Sequence, residues 1–253
     1  MYYFAVGAVF KDESHILHEW IKHYLFHGVE HIYLINDQST DNYMEILKPY
    51  IDNDTVTLFQ CNEPCYLGRQ RVIYGKFLLP ILGNVKWLAV LDLDEFLWSP
   101  RDIDLKGVLK NFEGTGQIQF SQSIFGSNDH IEQPKGIVQS FTKRGENIRG
   151  CYKYIVNSDY KFTSLNVHHA LFLNKKYQKG VPHFMLLDFI ADKDNPCFVL
   201  NHYNCQSLNF WKEVKTLRGS CDNFKVRNMD LFREYDQNDI EDFGLYEQNK
   251  PLF

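Results

Sequence analysis

The sequence predicts an α/β protein in which helices cover both faces of a mostly parallel sheet. Short apolar runs of strand length alternate with segments whose apolar residues recur at helical spacing, as far as about residue 100. Polar clusters follow three of the apolar runs, and parallel sheets bind ligands beyond the carboxyl ends of their strands. This order also implies right-handed crossovers and strands that are buried on both faces.

The first half of the chain is predicted to contain four strands and three helices. Tyr2–Phe10 is an apolar run of strand length, and Gly28 ends the helix that follows it. The apolar residues that indicate this helix are Ile16, Leu17, Trp20, Ile21, Tyr24 and Leu25. Pro49 is expected to end the second helix because proline lacks the amide hydrogen that a helix interior uses. The remaining elements are predicted as strands over 30–37, 55–60 and 87–91 and as helices over 39–51 and 67–82.

After about residue 100 the alternation of strand and helix weakens. Residues 116–126 and 139–156 look like strands with glycine turns, and 207–219 has helical spacing. The last segment, about 30 residues long, is polar and aromatic and is expected to be helical or irregular. Because the sequence shows no repeat, low-complexity tract or linker, a single domain over 1–253 is the simplest interpretation.

The composition is that of an ordinary globular protein, with 44% apolar and 23% charged residues. The net charge of −5 gives no general electrostatic reason to bind nucleic acid or an anionic membrane surface. No run approaches the ~18 apolar residues of a spanning helix, and the start lacks the basic region of a signal peptide. The sequence therefore predicts a cytoplasmic protein, free or peripherally attached to a membrane, whose six cysteines are reduced.

The most informative stretch is residues 87–98, which read WLAVLDLDEFLW. A core strand ends there in Asp92, Asp94 and Glu95, although carboxylates are rarely buried unless they are paired or bind a metal. Residues two apart on extended backbone face the same way, so Asp92 and Asp94 can share a hard cation such as Mg²⁺ or Mn²⁺. The alternative interpretation is that these aspartates cap a helix beginning near Phe96.

Four blocks of the chain, taken in order, carry a resemblance to known proteins. They read FKDESHILHEWIKHYLFHGVEHIYLINDQSTD (10–41), WLAVLDLDEFL (87–97), FGSNDHIEQP (125–134), and VHHA (167–170) with LNHYNCQSLNFWKEVKTLRG (200–219). The set resembles the family-2 type glycosyltransferases and, more closely, the family 92-like branch. The resemblance covers most of residues 4–219.

The resemblance implies a GT-A fold, in which a Rossmann-like, mostly parallel sheet flanked by helices carries a smaller β region on the acceptor side. It implies a nucleotide-sugar-binding half over residues 1–100, and an acceptor-binding half with C-terminal helices over 101–253. It also implies transfer of a hexose, with inversion, from a nucleotide diphosphate donor such as a UDP-sugar to a glycan or other saccharide. The implied cofactor is Mn²⁺ or Mg²⁺.

Carried onto this chain, the resemblance implies a donor site near the first two strands. Asp37 would contact the nucleotide base, and the turn that contains Phe10, Asp12 and Glu13 would line the base pocket. Gln70 is expected to face the same site, whereas the arginines on either side of Gln70 are expected to be exposed.

The resemblance also implies a metal and diphosphate site. Asp92 would face the ribose or the metal, Asp94 would be the main metal ligand, and His202 would be a late ligand. Lys215 and Arg218 could hold the diphosphate. The alternatives are that His202 makes hydrogen bonds within the core, and that Lys215 and Arg218, three apart on one helix, form a solvated basic face.

An inverting transferase needs a base that takes the proton from the acceptor hydroxyl. Glu95, Asp129 and Asp188 are the candidates, and the sequence does not choose among them.

Two other classes of protein stay open. A nucleotidyltransferase or phosphohydrolase is expected to have a glycine-rich phosphate-binding turn or a basic signature after the first strand. Here that turn reads FKDES and contains no glycine. A catalytically silent sugar- or nucleotide-binding protein could share the fold, since a fold does not determine a function.

Overall fold

The structure is a computed structural model that describes residues 1–146, 149–174, 184–187, 196–221 and 227–253. The strands are β1 (Tyr2–Phe10), β2 (His31–Asn36), β3 (Val56–Gln60), β4 (Val85–Val90), β5 (Glu95–Trp98), β6 (Gln117–Ile124), β7 (Lys143–Arg144), β8 (Arg149–Asn157), β9 (Phe162–Leu165), β10 (Ala170–Phe172), β11 (Phe184–Leu187), β12 (Val199–His202) and β13 (Ile240–Glu241). The helices are α1 (Ser14–Phe26), α2 (Tyr43–Asp52), α3 (Arg69–Phe77), α4 (Leu105–Leu109), α5 (Leu208–Phe210), α6 (Thr216–Arg218), α7 (Met229–Tyr235) and α8 (Gly244–Asn249). A π-helical turn, Trp211–Lys215, joins α5 to α6.

The main sheet of the described chain has the strand order β3-β2-β1-β4-β8-β6-β12-β5, with β11 also paired to β6. Strands β1 to β4 are mutually parallel, and β8 runs antiparallel between β4 and β6. Strands β11 and β12 are parallel to β6, whereas β5 is antiparallel to β12. The prediction of a mixed α/β protein with a mostly parallel sheet is therefore confirmed.

The two faces of the sheet carry separate apolar layers, which is why its central strands are apolar almost throughout. Helix α1 buries Trp20 and Tyr24 against one face, and α3 buries Ile73 and Tyr74 against the other. The hydroxyl of Tyr24 donates to the carbonyl oxygen of Glu95 at 2.9 Å and accepts from the amide of Leu97 at 2.9 Å. These contacts hold β5, and the acidic residues before it, against the core.

The prediction that Pro49 ends the second helix is wrong. Helix α2 begins at Tyr43, contains Pro49 and continues to Asp52. Tyr50 and Ile51, which follow the proline, pack partly buried against the main core. This packing favours the helical conformation of the last turn even though the proline contributes no amide hydrogen.

Two further predictions about local structure need correction. The segment expected to be one helix over 67–82 is α3 followed by a short 3₁₀ helix, Pro80–Asn84. Pro80 separates them because proline disfavours the helical conformation of the preceding residue and contributes no amide hydrogen. The aspartates after β4 do not cap a helix at Phe96, because Phe96 lies in strand β5, where it is fully buried.

Two further properties of the described residues concern the helices and the cysteines. None of these helices combines the length and the apolar character needed to cross a membrane. No disulfide joins the cysteines whose side chains are described, which are Cys61, Cys65, Cys197, Cys205 and Cys221.

Candidate functional site

A cavity of about 300 Å³ opens at the carboxyl ends of strands β1, β2 and β4. Each strand delivers acidic side chains there: Glu13 after β1, Asp37 after β2, and Asp92 and Asp94 after β4. Residues 218–221, at the end of α6, line the opposite wall. The cavity lies where the parallel strands were expected to place a ligand site.

Asp92 forms an ion pair with a lysine of β8, the antiparallel strand next to β4. Lys153, on β8, is 1% exposed, and its ammonium donates to Oδ2 of Asp92 at 2.8 Å. The same ammonium lies 3.3 Å from Oε2 of Glu95. Burial opposes the charge on Lys153, but the two carboxylates outweigh it and raise its pKa. Lys153 therefore neutralises part of the acidic cluster from inside the sheet.

Glu95 is enclosed and serves as a partner for its neighbours. It is fully buried; Oε2 accepts the amide of Asp92 at 2.8 Å, and Oε1 accepts the side-chain amide of Gln122 at 2.8 Å. Burial raises the pKa of Glu95 to about 7, with Lys153 acting in the opposite direction. Glu95 does not line the cavity.

Asp94 lies between two cationic or potentially cationic groups. Lys215, fully buried in the π-helical turn, donates to Oδ2 of Asp94 at 2.7 Å, and Nε2 of His202 lies 3.3 Å from Oδ1. Burial favours the neutral form of Asp94, but Lys215 and His202 outweigh it and lower its pKa well below the usual range. Asp94 is therefore ionised, and it is 7% exposed at the cavity.

His202 is oriented by the strand pairing. It lies opposite Glu95 in the β12–β5 ladder, and its Nδ1 lies 2.9 Å from Oε1 of Gln122. The amide nitrogen of Gln122 donates to Glu95, so its oxygen accepts and Nδ1 of His202 carries the hydrogen. In its protonated form the ring donates from Nε2 to Asp94, which is the interaction that lowers the pKa of Asp94. A neutral ring with its hydrogen on Nδ1 would instead offer the lone pair of Nε2 to a cation, as metal-binding histidines do.

Asp37 and Arg69 form a buried ion pair at the other end of the cavity. Nη1 of Arg69 donates to Oδ2 of Asp37 at 2.7 Å, and Nη2 donates to Oδ1. Arg69 is 2% exposed, so the prediction of a surface arginine at this position is wrong. The reason is that the N-terminus of α3 lies against the end of β2, where a bidentate partner neutralises Asp37.

The turn after β1 is fixed by side chains from two other segments. Oδ1 of Asp12 accepts the amide of Thr40 at 2.7 Å, and Nη2 of Arg218 donates to Oε1 of Glu13 at 2.5 Å. Arg218 also donates to the carbonyl oxygen of Lys11. The interpretation of residues 215 and 218 as a solvated basic face is therefore wrong, since the helix turns both side chains inward onto carboxylates.

The other predicted donor-site residues divide between the cavity and its surroundings. Phe10 and Gln70 line the cavity, and Nε2 of Gln70 donates to the hydroxyl of Tyr74 at 2.6 Å. Asp129 is exposed in a left-handed turn outside the cavity. Asp188, the third candidate base, lies outside the described residues.

Sequence reasoning missed Lys153, Arg69 and Arg227 as parts of the site. No sequence motif marks Lys153, because its strand lies 61 positions from Asp92 in the chain. The position of Arg69 next to Gln70, which was predicted to face the donor site, could have indicated that Arg69 belongs to the site. Arg227, which lines the cavity, follows the last of the resembling blocks and had no signal.

The donor set at Asp94 is compatible with a divalent cation. Two ligands at right angles, each about 2.1 Å from Mg²⁺, lie about 3 Å apart. The separation of 3.3 Å between Nε2 of His202 and Oδ1 of Asp94 is close to that spacing. In the described part of the chain, however, no group of three or more His, Cys, Asp or Glu side chains is placed to hold a metal. The residues fit a cation that takes most of its ligands from a phosphorylated substrate and water.

Fold and site together define an α/β protein with a charged ligand cavity at the carboxyl ends of its parallel strands. The chain belongs to glycosyltransferase family 92, whose family model matches residues 2–242. It is 23% identical over 219 residues to a glycosyltransferase family 92 protein of Ricinus communis, covering 83% of this chain and 36% of that protein. It is also 26% identical over 118 residues to galactan beta-1,4-galactosyltransferase GALS2 of Arabidopsis thaliana, covering 44% of this chain and 23% of that protein.

The chain thus spans about a third of the Ricinus communis relative and about a quarter of the Arabidopsis thaliana one. Among solved structures it is similar to that of S. aureus TarS 1-349 in complex with UDP-GlcNAc. That likeness has 12% identity and a TM-score of 0.47, and it covers 80% of this chain and 59% of that chain.

Proposed function

We propose that the chain is a metal-dependent glycosyltransferase that moves a hexose from a nucleotide diphosphate sugar to a saccharide acceptor with inversion. The observation that carries the proposal is Asp94, an ionised carboxylate at the cavity that faces His202 on one oxygen and Lys215 on the other. Family membership supports the reaction class. The proposed donor is a UDP-sugar.

The donor is proposed to lie along the cavity from Asp37 to Asp94. The nucleoside binds against Phe10 and Asp37, where Arg69 keeps the carboxylate of Asp37 in place. The diphosphate lies between the aspartates after β4 and the wall formed by residues 218–221. Arg218 is the proposed contact for the diphosphate from that wall, and Gln70 borders the cavity beside Asp92. Lys215, which was expected to hold the diphosphate, is fully buried outside the cavity lining and is proposed to act through Asp94.

The cation, Mn²⁺ or Mg²⁺, is proposed to be held by Asp94 and His202, with Asp92 nearby. When bound it would neutralise charge on the departing nucleoside diphosphate. Neighbouring residues orient these ligands. Gln122 accepts a hydrogen bond from Nδ1 of His202, and Glu95 accepts one from the backbone amide of Asp92. Lys153 balances the acidic charge from within the sheet.

We propose that the base that deprotonates the acceptor is either Asp129 or Asp188. Glu95 is assigned to positioning instead, since both of its oxygens accept hydrogen bonds inside the protein. An inverting displacement forms a bond from the acceptor oxygen to the anomeric carbon and breaks the bond to the diphosphate, while the base takes the hydroxyl proton. Asp129→Asn and Asp188→Asn separate the two candidates, because loss of turnover with donor binding retained identifies the base.

A catalytically silent nucleotide-binding protein is the second candidate. The observation that favours it is that the protein's own lysines already neutralise both aspartates, Lys153 on Asp92 and Lys215 on Asp94. Such a protein would bind a nucleotide without needing a divalent cation and would not transfer the sugar.

Calorimetric titration with UDP, with and without Mn²⁺, tests the proposal, followed by mass spectrometry of products from UDP-galactose and a β-1,4-galactan oligosaccharide. The acceptor is chosen because one relative is described as a galactan galactosyltransferase. We expect binding that strengthens with Mn²⁺ and is lost in Asp94→Asn. Asp52→Asn is the matched control, because Asp52 belongs to another Asp-x-Asp pair and pairs with Lys48 at the surface. Metal-independent binding without product formation from a panel of UDP-sugars would favour the silent protein.

A further inference from the structure

Arg227 is a partly buried arginine of the cavity that forms no ion pair with another described residue. It lines the same cavity as Asp94 and Arg218. Its Nη1 is shielded from solvent and has no hydrogen-bond partner among the described residues. Burial lowers the pKa of this guanidinium, and the nearby carboxylate of Asp94 acts in the opposite direction. A polar nitrogen that is shielded from solvent and has no hydrogen-bond partner is unfavourable unless a ligand supplies one.

The other two arginines that line the cavity are both paired. Arg69 forms a bidentate ion pair with Asp37, and Arg218 donates to Glu13 at 2.5 Å. No ion pair of Arg227 is found within the described chain. Arg227 is therefore the cavity arginine that has guanidinium hydrogens available for an incoming anion.

Trp211 holds Arg227 in place before any ligand arrives. The guanidinium carbon of Arg227 lies 5.9 Å from the centre of the buried Trp211 ring, within the range of a cation–π contact. The indole nitrogen of Trp211 donates to the carbonyl oxygen of Asn228 at 3.2 Å, which anchors the backbone next to Arg227. The arginine is thus oriented by its own surroundings rather than by a carboxylate.

We propose that Arg227 binds the sugar-side phosphate of the donor and makes the site selective for nucleoside diphosphates over nucleoside monophosphates. A guanidinium can donate two parallel hydrogen bonds to one phosphate, which suits a group with several unused hydrogens. The assignment to the sugar-side phosphate follows from the charged neighbours of Arg227, which are Asp94, Glu13 and Asp92, whereas Asp37 is paired with Arg69. This inference rests on the proposed function.

The test compares the affinities of UDP and UMP, and then of GDP and GMP, for the wild type, Arg227→Gln and Arg227→Lys, by calorimetry in buffer with Mn²⁺. We expect Arg227→Gln to weaken UDP binding about tenfold or more and to leave UMP binding within about twofold, so that the ratio of the two affinities falls. Arg227→Lys keeps the positive charge but cannot form the bidentate hydrogen bonds of a guanidinium. Its ratio of UDP to UMP affinity should therefore lie between those of the wild type and Arg227→Gln.

Arg233→Gln is the matched control, because Arg233 lies on α7 with a side chain 71% exposed and pairs with Asp230. It should bind both nucleotides as the wild type does. Without ligand, Arg227→Gln should melt at the same temperature as the wild type or higher, because it removes a shielded nitrogen that has no partner among the described residues. A purely structural arginine would instead lower the melting temperature.

Equal loss of UDP and UMP affinity in Arg227→Gln, or no loss of either, would overturn the inference and leave the proposed function standing. If Arg227→Gln does not fold, the UDP to UMP ratio of Arg227→Lys decides in the same way. Absence of binding of all four nucleotides to the folded wild type would overturn the proposed function, and this inference with it.

Discussion

The ammonium nitrogen of Lys215 lies 2.7 Å from Oδ2 of Asp94, and neither side chain is more than 10% exposed. The carboxylate that the sequence marks as a metal ligand is therefore already paired with a cation from a helix 121 positions away. The other oxygen of Asp94 faces His202 instead. A ligand entering the cavity meets an acidic pair whose charge is partly balanced in advance.

Lys215→Met is expected to destabilise the ligand-free protein by about 3–5 kcal/mol, because it leaves the buried charge of Asp94 uncompensated. Mn²⁺ should then restore more stability to the variant than it adds to the wild type. Urea unfolding with and without Mn²⁺ measures both quantities. Lys212→Met is the control, since Lys212 is exposed on the same helical segment. Equal effects of Mn²⁺ on variant and wild type would contradict the view that lysine and metal share Asp94.

The Asp37–Arg69 pair is expected to show strong coupling in a double-mutant cycle. Asp37→Asn and Arg69→Met each leave a buried group without its partner, so the double variant should be more stable than the sum of the single losses implies. We expect a coupling energy of about 1.5–3 kcal/mol from denaturant unfolding. The exposed Lys48–Asp52 pair, four residues apart on α2, should give about 0.5 kcal/mol or less. Similar values for both pairs would refute the prediction.

Protein stability is expected to fall as the pH drops below about 6.5, in part because of His23. His23 is fully buried: Nε2 donates to the carbonyl oxygen of Leu97 and Nδ1 accepts from Asn249, so both bonds use the neutral ring. Burial lowers the pKa of His23 well below its ordinary value, with His27 acting in the same direction. Below pH 6.5 the unfolded chain therefore binds a proton that the folded chain does not.

The slope that His23 contributes approaches about 1.4 kcal/mol per pH unit once the unfolded histidine is protonated and the folded one is not. Denaturant unfolding at pH 7.5, 6.5 and 5.5 should show a shallower slope for His23→Gln than for the wild type. His18→Gln is the comparison, because His18 is exposed and accepts a hydrogen bond from Tyr50. An unchanged slope in His23→Gln would contradict the assignment.

Asp41 is expected to stabilise a helix other than the one it precedes. Asp41 precedes α2, but its Oδ2 accepts the amide of Ser14, at the start of α1, at 2.8 Å. Asp41→Ala should therefore cost about 1 kcal/mol of stability through α1. Glu45→Ala, an exposed acidic change in the first turn of α2, should have a smaller effect in the same thermal unfolding experiment. Equal losses of stability in the two variants would argue against the capping of α1 by Asp41.

Much of the first half of the fold could be predicted from the sequence. Strand β1 has the predicted bounds, and β2, β3 and β4 differ from the predicted bounds by at most two residues at either end. These strands are continuous apolar runs, and periodicity is a local signal that needs no knowledge of packing. Pro49 misled the prediction because the packing of Tyr50 and Ile51 outweighs the local preference of proline.

The candidate site was predictable in part for the same reason. Asp37, Asp92 and Asp94 follow apolar runs directly, so their place at the cavity could be inferred from the strand order. Arg69 could not be placed, because its burial depends on how α3 docks beside β2. Lys153 could not be placed either, because an isolated lysine in a strand does not indicate which neighbour it will meet.

By itself, the sequence determined the alternation of strands and helices and the acidic residues at the strand ends, because both are patterns between near neighbours in the chain. The tertiary structure alone decided the charge partners, which are Lys153 for Asp92 and Lys215 for Asp94. It also decided that Nη1 of Arg227 has no hydrogen-bond partner among the described residues. Coulombic energy depends on distance and burial rather than on separation along the chain. Strand pairing and helix docking set those distances, so the electrostatics of the site appear only once the chain is folded.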